Sequence, residues 1–79
     1  MKLTVYLKGH LQWYDKEKRR EINLEVSETD LTPRKVLQML NVPLNQVQFV
    51  SINEVQEKDM DKILKDGDTM HVIPVIEGG

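Results

Sequence analysis

Apolar and polar residues alternate along "KLTVYL": Leu3, Val5 and Leu7 fall on one side and Lys2, Thr4 and Tyr6 on the other, the period of a half-buried strand. The alternation returns as Ile22, Leu24 and Val26 against Glu21, Asn23 and Glu25. The two segments are predicted to pair as a hairpin with a long connection, "KGHLQWYDKEKRR", whose charges suit a solvated tip or edge. The spacing changes in "LTPRKVLQML", where Val36, Leu37 and Leu40 make one buried helical stripe. Thr32 can cap the free amides at its start, and Pro33 sits in the first turn, where a missing N–H costs nothing. "NVP" is predicted to stop the helix, because the residue before Pro43 is pushed out of the helical region.

The second half is a shorter echo. "VQFVSI" reads as a strand with Val50 and Ile52 inward, followed by a turn at Asn53 and Glu54 and a brief pairing at Val55. "DKILKDGD" reads as one helical turn ending in a tight turn at Asp66, Gly67 and Asp68, and "TMHVIPV" as the last strand. One helix among four to five strands predicts a single α+β domain over residues 1–79, a mixed sheet with the helix on one face. Its first and last strands are expected side by side and parallel in the middle, with Leu3, Val5, Leu37, Leu40, Val50, Ile52, Met70 and Val72 in the core.

Composition narrows what such a domain can do. At 79 residues it buries only about 60–65% of its unfolded surface, which leaves no room for a deep catalytic cavity beside a core. Cysteine is absent, so disulfides, thiolate zinc sites and a cysteine nucleophile are excluded. Charged residues make up 30% of the chain but balance to a net −2, which gives no grip on phosphate backbones. No apolar run reaches the length of a bilayer, and "MKLTVYLKG" lacks a signal peptide's apolar core and cleavage site. A cytoplasmic chain with neither nucleic acid nor membrane as partner is expected. His10 and His71 have no clustered ligands beside them, so no metal site is expected. "DMDK" and "DGD" lack the spacing of a calcium loop and read as turns. No nucleophile and base pair can be assembled, so no catalytic residue is assigned and the chain is not expected to be an enzyme. Trp13 reads equally as a packing anchor or a recognition residue.

The sequence closes on "VIPVIEGG", in which Gly78 and Gly79 are two of only four glycines. At a usage of about 7%, such a doublet arises by chance in about one chain in 200. Three stretches then carry a resemblance: "LKDGDTMHVIPVIEGG" (64–79), "LKGHLQWY" (7–14) and "FVSINE" (49–54). With the order of elements, they resemble the ubiquitin-like β-grasp, and more closely the sulfur carriers of the MoaD/ThiS family. The long loop carrying Trp13 and Tyr14 is similar to the molybdopterin-synthase small subunits more than to the thiamin-type carriers. Glu54 stands where the family often has glycine, so a turn of another type or greater length is expected there. Glu77 stands where a small residue is common.

The resemblance implies a mixed sheet of four or five strands, one main helix and a flexible tail over residues 76–79. It implies that Gly79 is the site of adenylation and thiocarboxylate formation, with Gly78, Glu77 and Ile76 threading into partner sites. ATP would be used by the partner, with no permanently bound cofactor. The implied partners are an E1-like adenylating enzyme and a sulfur-accepting synthase subunit, similar to the molybdopterin synthase large subunit or a thiazole synthase. The chemistry is coherent: a free carboxylate, with a pKa of about 3.5, is an anion and a poor electrophile near neutrality, and adenylation gives it a leaving group that sulfur can displace. Glycines suit a tail that enters narrow channels. An outward docking surface is expected from Ile73, Val75, His71, Phe49 and Tyr6, His71 lying beside Ile73 as in a similar segment of ubiquitin. A thiamin-type carrier, a ubiquitin-like protein modifier and a β-grasp binding module with an inert tail remain the alternatives.

Overall fold

The computed structural model describes residues 1–76. Five strands form one mixed sheet: β1 (Lys2–Leu7), β2 (Glu21–Glu25), β3 (Val47–Ile52), β4 (Val55–Glu57) and β5 (Thr69–Pro74), in the order β2-β1-β5-β3-β4. β1 and β5 are parallel at the centre, Thr4 opposite Thr69 and Leu7 opposite Val72, and the other pairings are antiparallel. Among the described residues there is one α-helix, α1 (Pro33–Met39), whose Val36 and Leu37 pack into the same core as the inward residues of the strands. All eight residues expected in the core are buried, with Val5, Leu37, Val50 and Val72 at 0% exposure. Leu7, Leu11, Ile22, Val36 and Leu64 join them. The alternation in the strands is therefore the burial pattern itself, because successive side chains of a strand point to opposite faces.

Thr32 caps α1 as its sequence predicts: its side-chain oxygen accepts the Lys35 N–H at 3.2 Å, and Pro33 occupies the first position. The stop works differently from the prediction. Asn41 takes a left-handed conformation (φ 60), its N–H donates to the Gln38 carbonyl and the Val42 N–H donates to Leu37. That pair of bonds closes the helix end before Pro43 is reached, with Val42 buried beside Leu37.

"DKILKDGD" does not form the predicted helical turn. A turn at Met60–Asp61 leads into a segment with no regular structure before the turn at Asp66–Gly67. Tertiary bonds take the backbone groups a helix would have used: the Leu64 N–H donates to Leu31 at 2.8 Å, and the Arg34 N–H donates to Met60 at 3.0 Å. These ties hold the strap against the start of α1, and Leu64 is drawn into the core.

The β3–β4 turn falls at Asn53 and Glu54 with Val55 paired beyond it, as expected, and it is not lengthened. It has two residues only, Ile52 facing Val55 across it, and both Asn53 (φ 52) and Glu54 (φ 70) are left-handed. This is the backbone a two-residue hairpin demands, adopted here without the glycine. The β1–β2 connection contains a 3-10 helix at Gly9–Tyr14 that periodicity did not reveal, with Leu11 fully buried beneath it.

Candidate functional site

β5 runs through the middle of the sheet and ends where the sequence approaches its last residues, so whatever lies beside β5 on the open face frames the exit. On that face Tyr6 of β1 and His71 of β5 stand opposite each other and stack, ring centroids 4.6 Å apart and planes 15° from parallel. The Tyr6 hydroxyl donates to Glu21 Oε1 at 2.6 Å. Accepting that bond, the Glu21 carboxylate holds the phenol above its ordinary pKa, with lesser contributions from burial and the nearby charge. Lys8 Nζ lies 5.4 Å from the centre of the same ring. One step along, Ile73 pairs with Phe49 of β3. Four of the five expected docking residues, Tyr6, His71, Ile73 and Phe49, therefore share one face of three adjacent strands, and all four are half-buried by their neighbours.

Val75, the fifth, lies one residue beyond the end of β5, which stops at Pro74 and not at Val75 as the alternation predicts. It is 37% exposed, and its N–H donates to the Gln46 carbonyl at 3.0 Å. Ile76 is 82% exposed. The roles expected of Glu77, Gly78 and Gly79, threading and adenylation, fall outside the described residues. The face thus grades from half-buried aromatic and aliphatic side chains to an exposed Val75 and Ile76 at its exit, an arrangement suited to docking.

Sequence reasoning missed the scaffold around this exit. Gly9 (φ 56) approaches Pro74 so closely that a Cβ there would lie 3.0 Å from Pro74 Cγ. His10 Nε2 lies 3.1 Å from Gln46 Oε1. No local pattern announces either contact, since each joins segments distant in the chain. The charged loop beyond is ordered as well. The Asp15 side chain, only 6% exposed, accepts from Arg19 Nε and Nη2 at 2.9 and 3.0 Å and from the backbone N–H groups of Glu17 and Arg19. The Arg19 guanidinium holds the carboxyl well below the usual carboxylate range, helped by the Arg19 backbone N–H and opposed by burial. Trp13, 61% exposed, is not a core anchor; Lys18 lies over its ring at 5.8 Å.

A hollow of about 530 Å³ lies beside β3 and β4, lined by Arg34, Leu44, Val47, Phe49, Lys58 and Met60 among others. These residues include no nucleophile and base, and Arg34 is engaged with Asp61 at 2.9 Å. Among the described residues no group of three or more His, Cys, Asp or Glu could hold a metal ion. No helix among them is long and apolar enough to cross a membrane.

No protein-family model matches the sequence, and no curated protein matches it either. Solved structures do match the fold. A chain from the complex of subunits 1 and 2 of molybdopterin-converting factor from Helicobacter pylori is 18% identical, with both chains fully covered and a TM-score of 0.65. Urm1 from Trypanosoma brucei is 21% identical over 99% of this chain and 95% of its own, with a TM-score of 0.73. SAMP1 from Haloferax volcanii is 16% identical with both chains fully covered and a TM-score of 0.70. With the strand order and the single packed helix, these likenesses establish the fold: the chain is a ubiquitin-like β-grasp domain.

Proposed function

We propose that this protein is a sulfur carrier whose Gly79 carboxylate is the working group. An E1-like enzyme would join the carboxylate to AMP from ATP, releasing pyrophosphate. A sulfur donor would then displace AMP, which leaves with one former carboxylate oxygen, and the chain would hold a thiocarboxylate at Gly79. The observation that carries the reading is the position of the Gly78–Gly79 doublet, a few residues after the central strand of a β-grasp sheet, behind an apolar approach formed by Ile73, Val75 and Ile76. Gly78, Glu77 and Ile76 would thread into the partner's channel while Tyr6, His71, Phe49 and Ile73 dock outside it. The catalytic groups and the ATP site belong to the partner, and this chain needs no cofactor of its own.

The fold neighbour from a two-subunit molybdopterin-converting factor supports a synthase subunit as the sulfur-accepting partner, and with it a molybdopterin-type route over the thiamin type. Intact-mass analysis of the protein purified from its native cell tests the proposal: a fraction should carry the mass of one oxygen-to-sulfur exchange, and because the chain has no cysteine that fraction alone should gain one alkyl group from a thiol-selective alkyl halide, with the halide leaving. The same carboxylate found joined to a lysine amine would favour the modifier reading instead.

A further inference from the structure

The chain leaves the sheet through a stretch gripped from two sides. Pro74 has no N–H and a fixed φ, and the β3–β5 register slips between Val47 and Phe49 beside it, so the ladder alone holds the end of β5 poorly. On one side Gly9, left-handed, packs against the Pro74 ring. On the other the Gln46 carbonyl accepts the Val75 N–H. The sides are tied together by the 3.1 Å contact of His10 with the Gln46 side chain, and Gln46 is itself fixed by its N–H donating to Pro43 at 3.1 Å. Among the described residues Val75 is the last whose backbone N–H is hydrogen-bonded.

We propose that Gly9 and Gln46 are positioning residues that set the direction in which residues 76–79 leave the domain, and thereby the approach of the Gly79 carboxylate to a partner's nucleotide. The inference rests on the carrier reading above. Its leverage is geometric. Misplacement of a reacting atom by about 1 Å can cost about a hundredfold in rate, so a change in the direction fixed at Val75 should register in the rate. Left-handed φ alone does not explain glycine at position 9, because Lys18, Asn41, Asn53 and Glu54 adopt it with side chains. The Pro74 contact supplies the further reason, since a Cβ at position 9 would lie 3.0 Å from Pro74 Cγ and the ring would have to give by a few tenths of an ångström.

Gly67 provides a matched control. It is also left-handed (φ 87), a Cβ there would meet nothing within 4 Å, and its N–H binds the Lys2 carbonyl at the far end of β1 from the exit. With ATP, sulfide and an adenylating enzyme that accepts the intact chain, Gly9→Ala should lower kcat for thiocarboxylate formation about tenfold with KM unchanged. Gly67→Ala should leave both constants as they are despite a comparable strain. Amide exchange should show the Val75 N–H protected in the intact chain and exchanging about tenfold faster in Gly9→Ala, with Val50 unaffected in both. If Gly9→Ala fails to fold, His10→Ala, which removes the exposed tie to Gln46 together with an edge contact on Tyr14, should shift kcat and Val75 exchange in the same direction. An unprotected Val75 in the intact chain, or variants that react like it, would overturn the clamp. If no adenylating enzyme accepts the intact chain the carrier reading falls, and Val75 exchange still decides whether the clamp exists.

Discussion

Glu54→Gly should make this protein more stable, although it removes a side chain and adds backbone freedom to the unfolded state. Glu54 is the second residue of the two-residue β3–β4 turn, at φ 70. Asn53 beside it is compensated: its side chain donates to Asp68 Oδ1 at 2.9 Å and accepts the Thr69 N–H at 3.0 Å. Glu54 is exposed and has no such bonds among the described residues. A left-handed non-glycine residue costs about 1–2 kcal/mol, and replacing it with glycine returns about 0.4–1 kcal/mol to the unfolded chain. The two ranges leave a gain of up to about 1.6 kcal/mol, and the mid-range value of about 0.8 kcal/mol corresponds to a Tm rise of about 3–6 °C for a domain this size. Urea unfolding followed by circular dichroism measures the first quantity and a thermal scan the second. Glu54→Ala, which keeps the strained φ, should stay within about 0.5 kcal/mol of the parent. A glycine variant no more stable than the alanine variant would show that the backbone at position 54 is not left-handed in solution.

Leu37→Ala should cost about 2–5 kcal/mol in the same urea assay, since Leu37 is fully buried and closes the helix end with Val42; a change within error would mean that α1 does not pack as described. The Asp15 pKa is depressed in the folded state, so its stabilisation is complete above the unfolded value of about 3.9 and is lost as pH falls through the folded value. Urea midpoints taken from about pH 5 downward should therefore drop less steeply for Asp15→Asn than for the parent, and parallel curves would contradict the Asp15–Arg19 assignment. Ile73→Asp should weaken binding to an adenylating partner at least about tenfold, while loss of the Phe49 cross-strand contact costs about 0.2–1 kcal/mol of stability. Calorimetric titration separates the two, and intact binding would move the docking surface elsewhere.

The strands were legible because burial and side-chain alternation are the same fact in a half-buried sheet, as Leu3, Val5 and Leu7 show. The start of α1 was legible because Thr32 and Pro33 act locally. Its stop is not set by Pro43, because the left-handed Asn41 does the work two residues earlier, and asparagine signals that conformation only weakly. The helical turn expected in "DKILK" lost to tertiary bonds, Leu64 to Leu31 and Arg34 to Met60, that no local pattern encodes. The face around Tyr6, His71, Phe49 and Ile73 followed from strand phase, whereas the Gly9–Pro74 approach and the Gln46–Val75 bond depend on segments separated by dozens of residues. The same limit hid the buried role of Leu11 in the 3-10 helix.

The central claim, that Gly79 is the working group, is tested most directly by reconstitution. The intact chain, ATP, a sulfur donor and a panel of E1-like adenylating enzymes should yield a product heavier by one oxygen-to-sulfur exchange, with fragmentation placing the sulfur on Gly79. Chains lacking Gly79, or carrying one residue beyond it, should remain folded and gain no sulfur, because the reacting carbonyl would be displaced from the nucleotide. Sulfur on the truncated chain, or failure of the intact chain with every enzyme of the panel, would contradict the account and leave a β-grasp binding module with an inert tail.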